Sequence, residues 1–283
     1  MRQIFNNIEY DRKFQKDGYL VLDGIPSGKA AELYTYFSKL ESGVDAKFYA
    51  SLWSRDIDYR KKVDAKVKEY LQPIGEKYLY NYQSLFSDLL VKKPSFKDKI
   101  FPHQDWMFVD EPEFTSVYIW CPLVDVTPRN GCLEVFPGSH KMFREIRGSN
   151  ISLSYEEIQD HIMKECMVPV PLKAGQVVFF NQATIHASRP NRSLRKRISM
   201  GLLFLPKEAQ IIHYHLHPVK NTIEKLKVDY NFFMDFSNGD NFREGLYTRK
   251  INRPQNAELI EEFSLTKPKV SLADLENKIK ENA

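Results

Sequence analysis

The chain has 283 residues, a formal net charge of +4, 42% hydrophobic residues and 13% aromatic residues. That length and apolar content support a substantial core and exclude wholesale disorder. The mild basicity is not the footprint of a nucleic-acid binder: the densest basic run, Arg189 to Arg197, contains Pro190 and Asn191 and no interleaved aromatics, and reads as a turn.

The three cysteines, Cys121, Cys132 and Cys166, form no CxxC pair, so neither a disulfide framework nor a zinc cluster is expected. Reduced thiols in a cytoplasmic protein are the simple reading. The N-terminal stretch MRQIFNNIEYDRKF lacks the apolar core of a signal peptide, and no apolar run is long enough to span a bilayer.

In chain order, Phe14 to Leu22 reads as an apolar strand after a turn. Ser27 begins a helical pattern with Ala30, Leu33, Tyr34, Phe37 and Leu40, which Gly43 can close. Asp56 to Leu79 is also helical in pattern, with Pro73 and Gly75 as interruptions. From Leu85 the texture becomes β-like: Leu89–Val91, Thr115–Val126, Cys132–Phe136, Gln176–Phe180 and Ile198–Leu205, punctuated by turns such as Pro128-Arg-Asn-Gly131 and Lys173-Ala-Gly175. This rhythm predicts a mainly β fold with flanking helices, a barrel or jelly roll. The expected layout is a single domain over 1–283: N-terminal helical support 1–83, a core barrel at about 84–217 and a C-terminal extension 218–283.

Ser154-Tyr-Glu-Glu157 has a capping-box pattern and predicts a helix inserted between strands, either a lid over the barrel mouth or a solvated surface helix. Tyr230 to Tyr247 reads as aromatic loop. Ser271-Leu-Ala-Asp274 resembles another capping box, opening a short amphipathic helix with Leu272 and Leu275.

Chemistry concentrates at His103-Gln-Asp105. On a strand, residues i and i+2 share a face, so an imidazole and a carboxylate would converge. Alone, this spacing also fits an ordinary His–Asp pair at a strand end. A second imidazole from another strand would complete the two-His, one-carboxylate face of a non-haem Fe(II) oxygenase, which leaves positions open for cosubstrate and dioxygen. His186, after the strand at 177–181, can supply it. Arg197 then offers a permanent, fork-shaped cation for the far carboxylate of 2-oxoglutarate, and Ser188 could add a hydroxyl.

With these residues in place, the chain resembles the phytanoyl-CoA dioxygenase family of Fe(II)/2-oxoglutarate-dependent oxygenases. The resemblance rests on Phe14…Asp17-Gly-Tyr-Leu-Val-Leu22, His103-Gln-Asp105 and Gly131-Cys-Leu-Glu-Val-Phe-Pro-Gly-Ser-His140. It continues through Ala174-Gly-Gln-Val-Val-Phe-Phe-Asn181 leading to His186, and through Ser188, Asn191, Ser193 and Arg197. It implies a double-stranded β-helix (a cupin-like jelly roll), iron ligation by His103, Asp105 and His186, and binding of 2-oxoglutarate by Arg197 and Ser188. Dioxygen would be the second cosubstrate, and ascorbate would support turnover. An intact Asp105 favours hydroxylation or another oxidation over halogenation, since halogenating relatives carry Ala or Gly there.

Other histidines have blander roles open to them. His140 fits a structural hydrogen bond in its turn. His213, His215 and His217 share one strand face and could bind a second metal, line a substrate pocket or simply be core and surface residues. Trp106, Met107 and Phe108 could wall a pocket or belong to the core, and Asn181, Gln182 and Thr184 could add polar contacts. The expected function is a dioxygenase that hydroxylates a small molecule of specialised or amino-acid metabolism. Desaturation, ring formation and dealkylation would draw on the same chemistry. The basic balance slightly favours an anionic or zwitterionic substrate, and no motif demands CoA. The rival readings are a redox-neutral metal-dependent isomerase or lyase, which would not need Arg197, and a non-catalytic ligand-binding barrel.

Overall fold

The computed structural model describes residues 2–40, 45–236, 253–254, 257–264 and 269–282. Helix α1 (Ile8–Asp17) opens on Asn7, whose side chain accepts from the Glu9 and Tyr10 amides at 2.8 and 3.2 Å, and closes on Gly18 in the left-handed region at φ +80°. Phe14 therefore belongs to the last turn of a helix, and the expected strand is shortened to β1 (Tyr19–Leu22). The helix escaped detection because only Asp11 and Phe14 are buried along it, leaving no apolar stripe to read. Helix α2 (Ser27–Ser38) follows, and Gly43 lies outside the described residues.

Strand β2 (Phe48–Ala50) precedes helix α3 (Ile57–Tyr78), which runs unbroken through Pro73 and Gly75. Two facts explain why neither residue interrupts it. Gly75 sits where α3 crosses the sheet so closely that a Cβ would lie 2.0 Å from the Phe204 ring. The buried face of Val63, Val67, Leu71 and Ile74 also offsets the ~3 kcal/mol that an internal proline costs a helix.

The remaining strands are β3 (Tyr82–Lys92), β4 (Ile100–His103), β5 (Val117–Pro122), β6 (Leu133–Val135), β7 (Val168–Val170), β8 (Val177–Asn181), β9 (His186–Ser188) and β10 (Arg197–Pro206). They form a large sheet ordered β1-β8-β5-β10-β3-β2 and a small one ordered β4-β9-β6-β7, with antiparallel neighbours. From β3 to β10 the chain passes repeatedly between the two sheets, which is the winding of a double-stranded β-helix. Strands β11 (Ile212–Leu216), β12 (Thr222–Lys227) and β13 (Glu258–Ser264) make a separate sheet.

Both faces of the large sheet are covered, so its strands read as continuous apolar runs rather than alternating ones. Its outer face packs Leu89, Ile119, Phe179 and Phe204 against Phe14, Phe37, Val67 and Leu71 of the three helices. Its inner face packs Phe86, Tyr118, Trp120, Phe180 and Leu203 towards Leu133, Val135 and Val170 of the small sheet.

Ser154 does not cap a helix; its hydroxyl hydrogen-bonds Glu145 Oε1 at 3.2 Å, and the insert forms a 3-10 turn (Glu156–Ile158) followed by a short helix (Gln159–Glu165). The insert leans on β4, where Gln159 Nε2 donates to the Pro102 carbonyl at 2.8 Å and Lys99 pairs with Asp160 at 2.8 Å. Tyr230 opens a helix (Tyr230–Phe236) where aromatic loop was expected, and 237–252 lie outside the described residues. At Ser271 the capping box forms: the Asp274 amide donates to Ser271 Oγ at 3.2 Å and the Ser271 amide to Asp274 Oδ2 at 2.8 Å. The helix that follows (Leu272–Asn282) buries Leu275 beside Phe143. All three cysteines are free thiols.

Candidate active site

His103, Asp105 and His186 converge, with one ligand atom from each lying within 4.8 Å of the others. Asp105 Oδ1 is 4.0 Å from His103 Nε2, and Asp105 Oδ2 is 3.8 Å from His186 Nε2. The convergence is not quite that of an i, i+2 pair on one strand. Strand β4 ends at His103, directly opposite His186 in β9, and Asp105 lies beyond the strand. It is held there because its amide donates to the Gln182 carbonyl at 3.2 Å and its carbonyl accepts from Arg147 Nε at 2.8 Å. Arg147 is held in turn by an ion pair with Glu111.

The second nitrogen of each imidazole is occupied. His103 Nδ1 donates to the Phe101 carbonyl at 2.8 Å and His186 Nδ1 to the Thr184 carbonyl at 3.0 Å. Those bonds fix the tautomer and aim both Nε2 lone pairs at the common point, the outer arrangement that metal-bound histidines need. Burial, helped by neighbouring His103, pulls the His186 pKa down to about 4, so its ring is neutral near pH 7, as a ligand must be. Two imidazoles and a carboxylate with open space beside them suit Fe(II). Among the described residues, no second group of three such donors exists.

Arg197 points into the same cavity. It is 3% exposed, its Nη1 donates to the Gly131 carbonyl at 2.7 Å, and its Nε has no partner among the described residues. Burial lowers its pKa to about 10, which leaves it fully charged at pH 7. Beside it, opposite in register on β3, lies a residue that the sequence reading missed. Lys92 is completely buried, and its Nζ donates to Ser188 Oγ at 2.7 Å and to the Ser188 and Arg189 carbonyls at 3.0 and 2.6 Å. Burial, then the Arg197 charge, pull its pKa down to about 6. A buried guanidinium beside a buried amine that can take up a proton, with no carboxylate in ion-pair range of either among the described residues, makes a corner that attracts an anion. Ser188 lines the cavity, but its hydroxyl donates to the Gly131 carbonyl at 2.9 Å while accepting from Lys92, so it shapes this corner as well as facing it. Asn191 braces the turn by donating to the Lys92 and Arg195 carbonyls, and Ser193 donates to Asn191.

The cavity has a volume of about 570 Å³. Trp106 and Phe108 line it, whereas Met107 packs with Ile212 and Tyr214 behind it. Glu156 and Gln159 of the insert also reach it, so that segment borders the cavity and is not merely a solvated surface helix. Gln182 faces it and donates to Asp105 Oδ2 at 3.4 Å, while Thr184 donates to the Gly18 carbonyl away from it. His213, His215 and His217 do not line it: His213 packs behind Trp106 with its ring centroid 5.3 Å away, and His217 Nδ1 accepts amides of its own turn. His140 meets the Gln15 carbonyl at the end of α1, at 3.1 Å, a structural role outside its own turn.

The family model described as Phytanoyl-CoA dioxygenase (PhyH) matches residues 26–199. Phytanoyl-CoA dioxygenase 1 of Oryza sativa subsp. japonica is 33% identical over 156 residues, covering 47% of this chain and 53% of that protein. Phytanoyl-CoA dioxygenase of Arabidopsis thaliana is 28% identical over 153 residues, covering 52% and 50%. The chain thus spans about half the length of the curated relatives it matches. Among solved structures, the non-heme alpha ketoglutarate dependent carbocyclase SnoK from nogalamycin biosynthesis aligns with TM-score 0.52 and 21% identity, over 72% of this chain and 86% of that one. HygX from Streptomyces hygroscopicus, with nickel and 2-oxoglutarate bound, aligns with TM-score 0.50 and 16% identity, over 71% and 88%. At these identities the likeness establishes the double-stranded β-helix and no more.

Proposed function

Since the chain belongs to the phytanoyl-CoA dioxygenase family, we propose that it is an Fe(II)- and 2-oxoglutarate-dependent dioxygenase that hydroxylates a small molecule. The observation that carries this reading is the coexistence, in one cavity, of a preorganised two-His, one-carboxylate face and a buried cationic corner with an unpartnered guanidinium N–H. A redox-neutral metal-dependent barrel would use the first feature and leave the second without purpose.

Each residue then has a task. His103, Asp105 and His186 hold the metal on one face, and the carbonyls of Phe101 and Thr184 keep both imidazoles in the ligating tautomer. Arg197 receives the distal carboxylate of 2-oxoglutarate, with charge-assisted hydrogen bonds that are strong in so dry a corner. Lys92 tethers Ser188 and the Arg189 carbonyl, so that the corner keeps its shape before the anion arrives, and its amine regains a proton beside the bound carboxylate. The aromatic lining excludes water around the substrate. Bound Fe(II) and 2-oxoglutarate supply dioxygen activation, in which the oxo acid leaves as succinate and carbon dioxide and one oxygen atom enters the substrate.

The test is succinate formation by purified protein with Fe(II), ascorbate and 2-oxoglutarate in air, alongside an anaerobic titration that follows the visible absorption of the iron–oxoglutarate complex. Slow succinate release without added substrate, lost in Asp105→Ala and Arg197→Ala, is the expected result. Neither succinate nor absorption would return the redox-neutral barrel or a binding protein to the front.

A further inference from the structure

One carboxyl group in the cavity has no part in that scheme. Asp88 sits on the inner face of β3, which it shares with Phe86, Leu90 and Lys92, and lines the same cavity as the triad. It is 8% exposed, and its Oδ1 accepts from the Tyr118 hydroxyl, which reaches over β10 from β5 on the same sheet. Space for this pair is made by Gly201, opposite Asp88 on β10, where a Cβ would lie 1.7 Å from Tyr118 Oη and 2.5 Å from Asp88 Oδ1. The walls around it are largely aromatic, with Phe86, Phe108, Trp120 and Phe233 on the cavity lining.

No cation among the described residues balances Asp88. Among the described residues it enters no ion pair, and the charges that act on it are the carboxylates of Asp105 and Asp64. Removing an unpaired carboxylate from water costs several kcal/mol, so such a group either keeps a proton or awaits a positive partner. Burial does push its pKa up, to about 7, even though the Tyr118 hydrogen bond opposes the shift. A carboxyl group among aromatic faces is the chemistry that recognises an organic cation: the carboxylate supplies charge and a hydrogen-bond acceptor, and the ring faces supply cation–π attraction. The cationic corner at Arg197 and Lys92 lies elsewhere on the lining and takes the oxo acid, so the two charged features suit different ligands.

We propose that Asp88 determines specificity by binding a positively charged nitrogen, a protonated amine or quaternary ammonium, on an otherwise apolar substrate. This inference rests on the oxygenase reading for calling the ligand a substrate. Of the anionic or zwitterionic substrates suggested by the net charge of +4, it keeps only those that carry a positive nitrogen, and it adds simple cations, because net charge describes the surface rather than this wall.

The chain's three tryptophans, Trp53, Trp106 and Trp120, all line the cavity, so intrinsic fluorescence reports its occupancy directly. The protein loaded with Ni(II) and 2-oxoglutarate would be titrated with phenylbutylamine, phenylbutanol and phenylbutanoate, which share a body and differ in the head group. The amine should bind at least tenfold more tightly than the alcohol, with the acid weakest, and Asp88→Asn should bring the amine-to-alcohol ratio close to one. Equal or tighter binding of the alcohol or acid to the wild type overturns the proposal, and that comparison stands even if the variant fails to fold. Persistence of the amine preference in a folded Asp88→Asn protein overturns it too. The wild-type iron–oxoglutarate absorption separates the two readings. An amine preference without that absorption sinks the oxygenase assignment and keeps the cation site, and absorption without an amine preference does the reverse.

Discussion

At the small sheet, His103 and Asp105 are 32% and 31% exposed, and their ligating atoms face open space. At the large sheet, Arg197 and Lys92 are 3% and 0% exposed, wedged between paired strands. The first region gathers polar groups around a point where a cation would sit, and backbone carbonyls set their direction. The second gathers cations around a point where an anion would sit, and burial sets their strength. A partly solvated carboxylate beside two imidazoles is stable without its metal, whereas a desolvated guanidinium beside a desolvated amine is a standing cost to the fold until an anion joins them. Substitutions in the first region should therefore act almost purely on ligand binding and turnover. Those in the second should also register in stability.

The largest effect expected is that of Asp105→Ala. It removes the one anionic ligand, so Fe(II) affinity and substrate-free succinate formation should each fall by at least about 100-fold, while the melting temperature of the metal-free protein changes little. Calorimetric metal titration and thermal melting check both halves. A large loss of metal-free stability would contradict the contrast drawn above.

Arg197→Ala comes next. Truncating one partner of a buried charge pair costs about 2–5 kcal/mol, so the KM for 2-oxoglutarate should rise by roughly 100-fold with a smaller change in kcat. Metal affinity measured without 2-oxoglutarate should stay near that of the wild type. If metal binding fell in parallel, the two regions would be one coupled structure rather than two.

Legibility in the sequence follows the same division. His103, Asp105, His186 and Arg197 could be read because short local patterns announce them, and the β-rich texture from Leu85 onwards announces the two-sheet architecture. Lys92 could not be read, because Lys92-Lys93-Pro94 looks like the polar end of a strand, and only the pairing of Lys92 with Arg197 brings it inside. Asp88 was hidden in the same way: a single acid in Ser87-Asp-Leu-Leu90 acquires meaning only from facing Gly201 and Tyr118. Helix α1 was missed for the opposite reason, since its stability comes from a cap and two buried residues rather than from periodicity. Local chemistry is visible along a chain, and chemistry assembled by strand register is not.

Gly18 tests how firmly the N-terminal segment supports the site. It has φ +80°, and a Cβ there would lie 2.4 Å from Thr184 Oγ1 and 2.5 Å from His140 Nδ1. Gly18→Ala combines backbone strain with a clash, so an unfolding cost of about 2–3 kcal/mol is expected in denaturant titration. Because Thr184 also holds the His186 ring through its carbonyl, metal affinity should drop as well, by less than in Asp105→Ala.

The smallest effect expected is also the sharpest test of the cationic corner. The Lys92 pKa is depressed to about 6 in the folded protein, whereas an unfolded lysine titrates near 10.4. Between those values the unfolded chain binds a proton that the folded chain does not, so this group makes stability rise with pH across the window. Its cost is complete below about pH 6 and vanishes above the ordinary lysine range. Lys92→Met keeps the bulk of the side chain and removes the titration. The wild-type melting temperature minus that of Lys92→Met should therefore rise by about 3 °C or more from pH 6.5 to pH 9, with other titrations cancelling in the difference. Saturating 2-oxoglutarate and Ni(II) should flatten the slope, because an anion beside Lys92 restores its proton. A flat difference without ligand would mean that the corner is wetter than its burial indicates, and a slope unaffected by 2-oxoglutarate would place the carboxylate elsewhere.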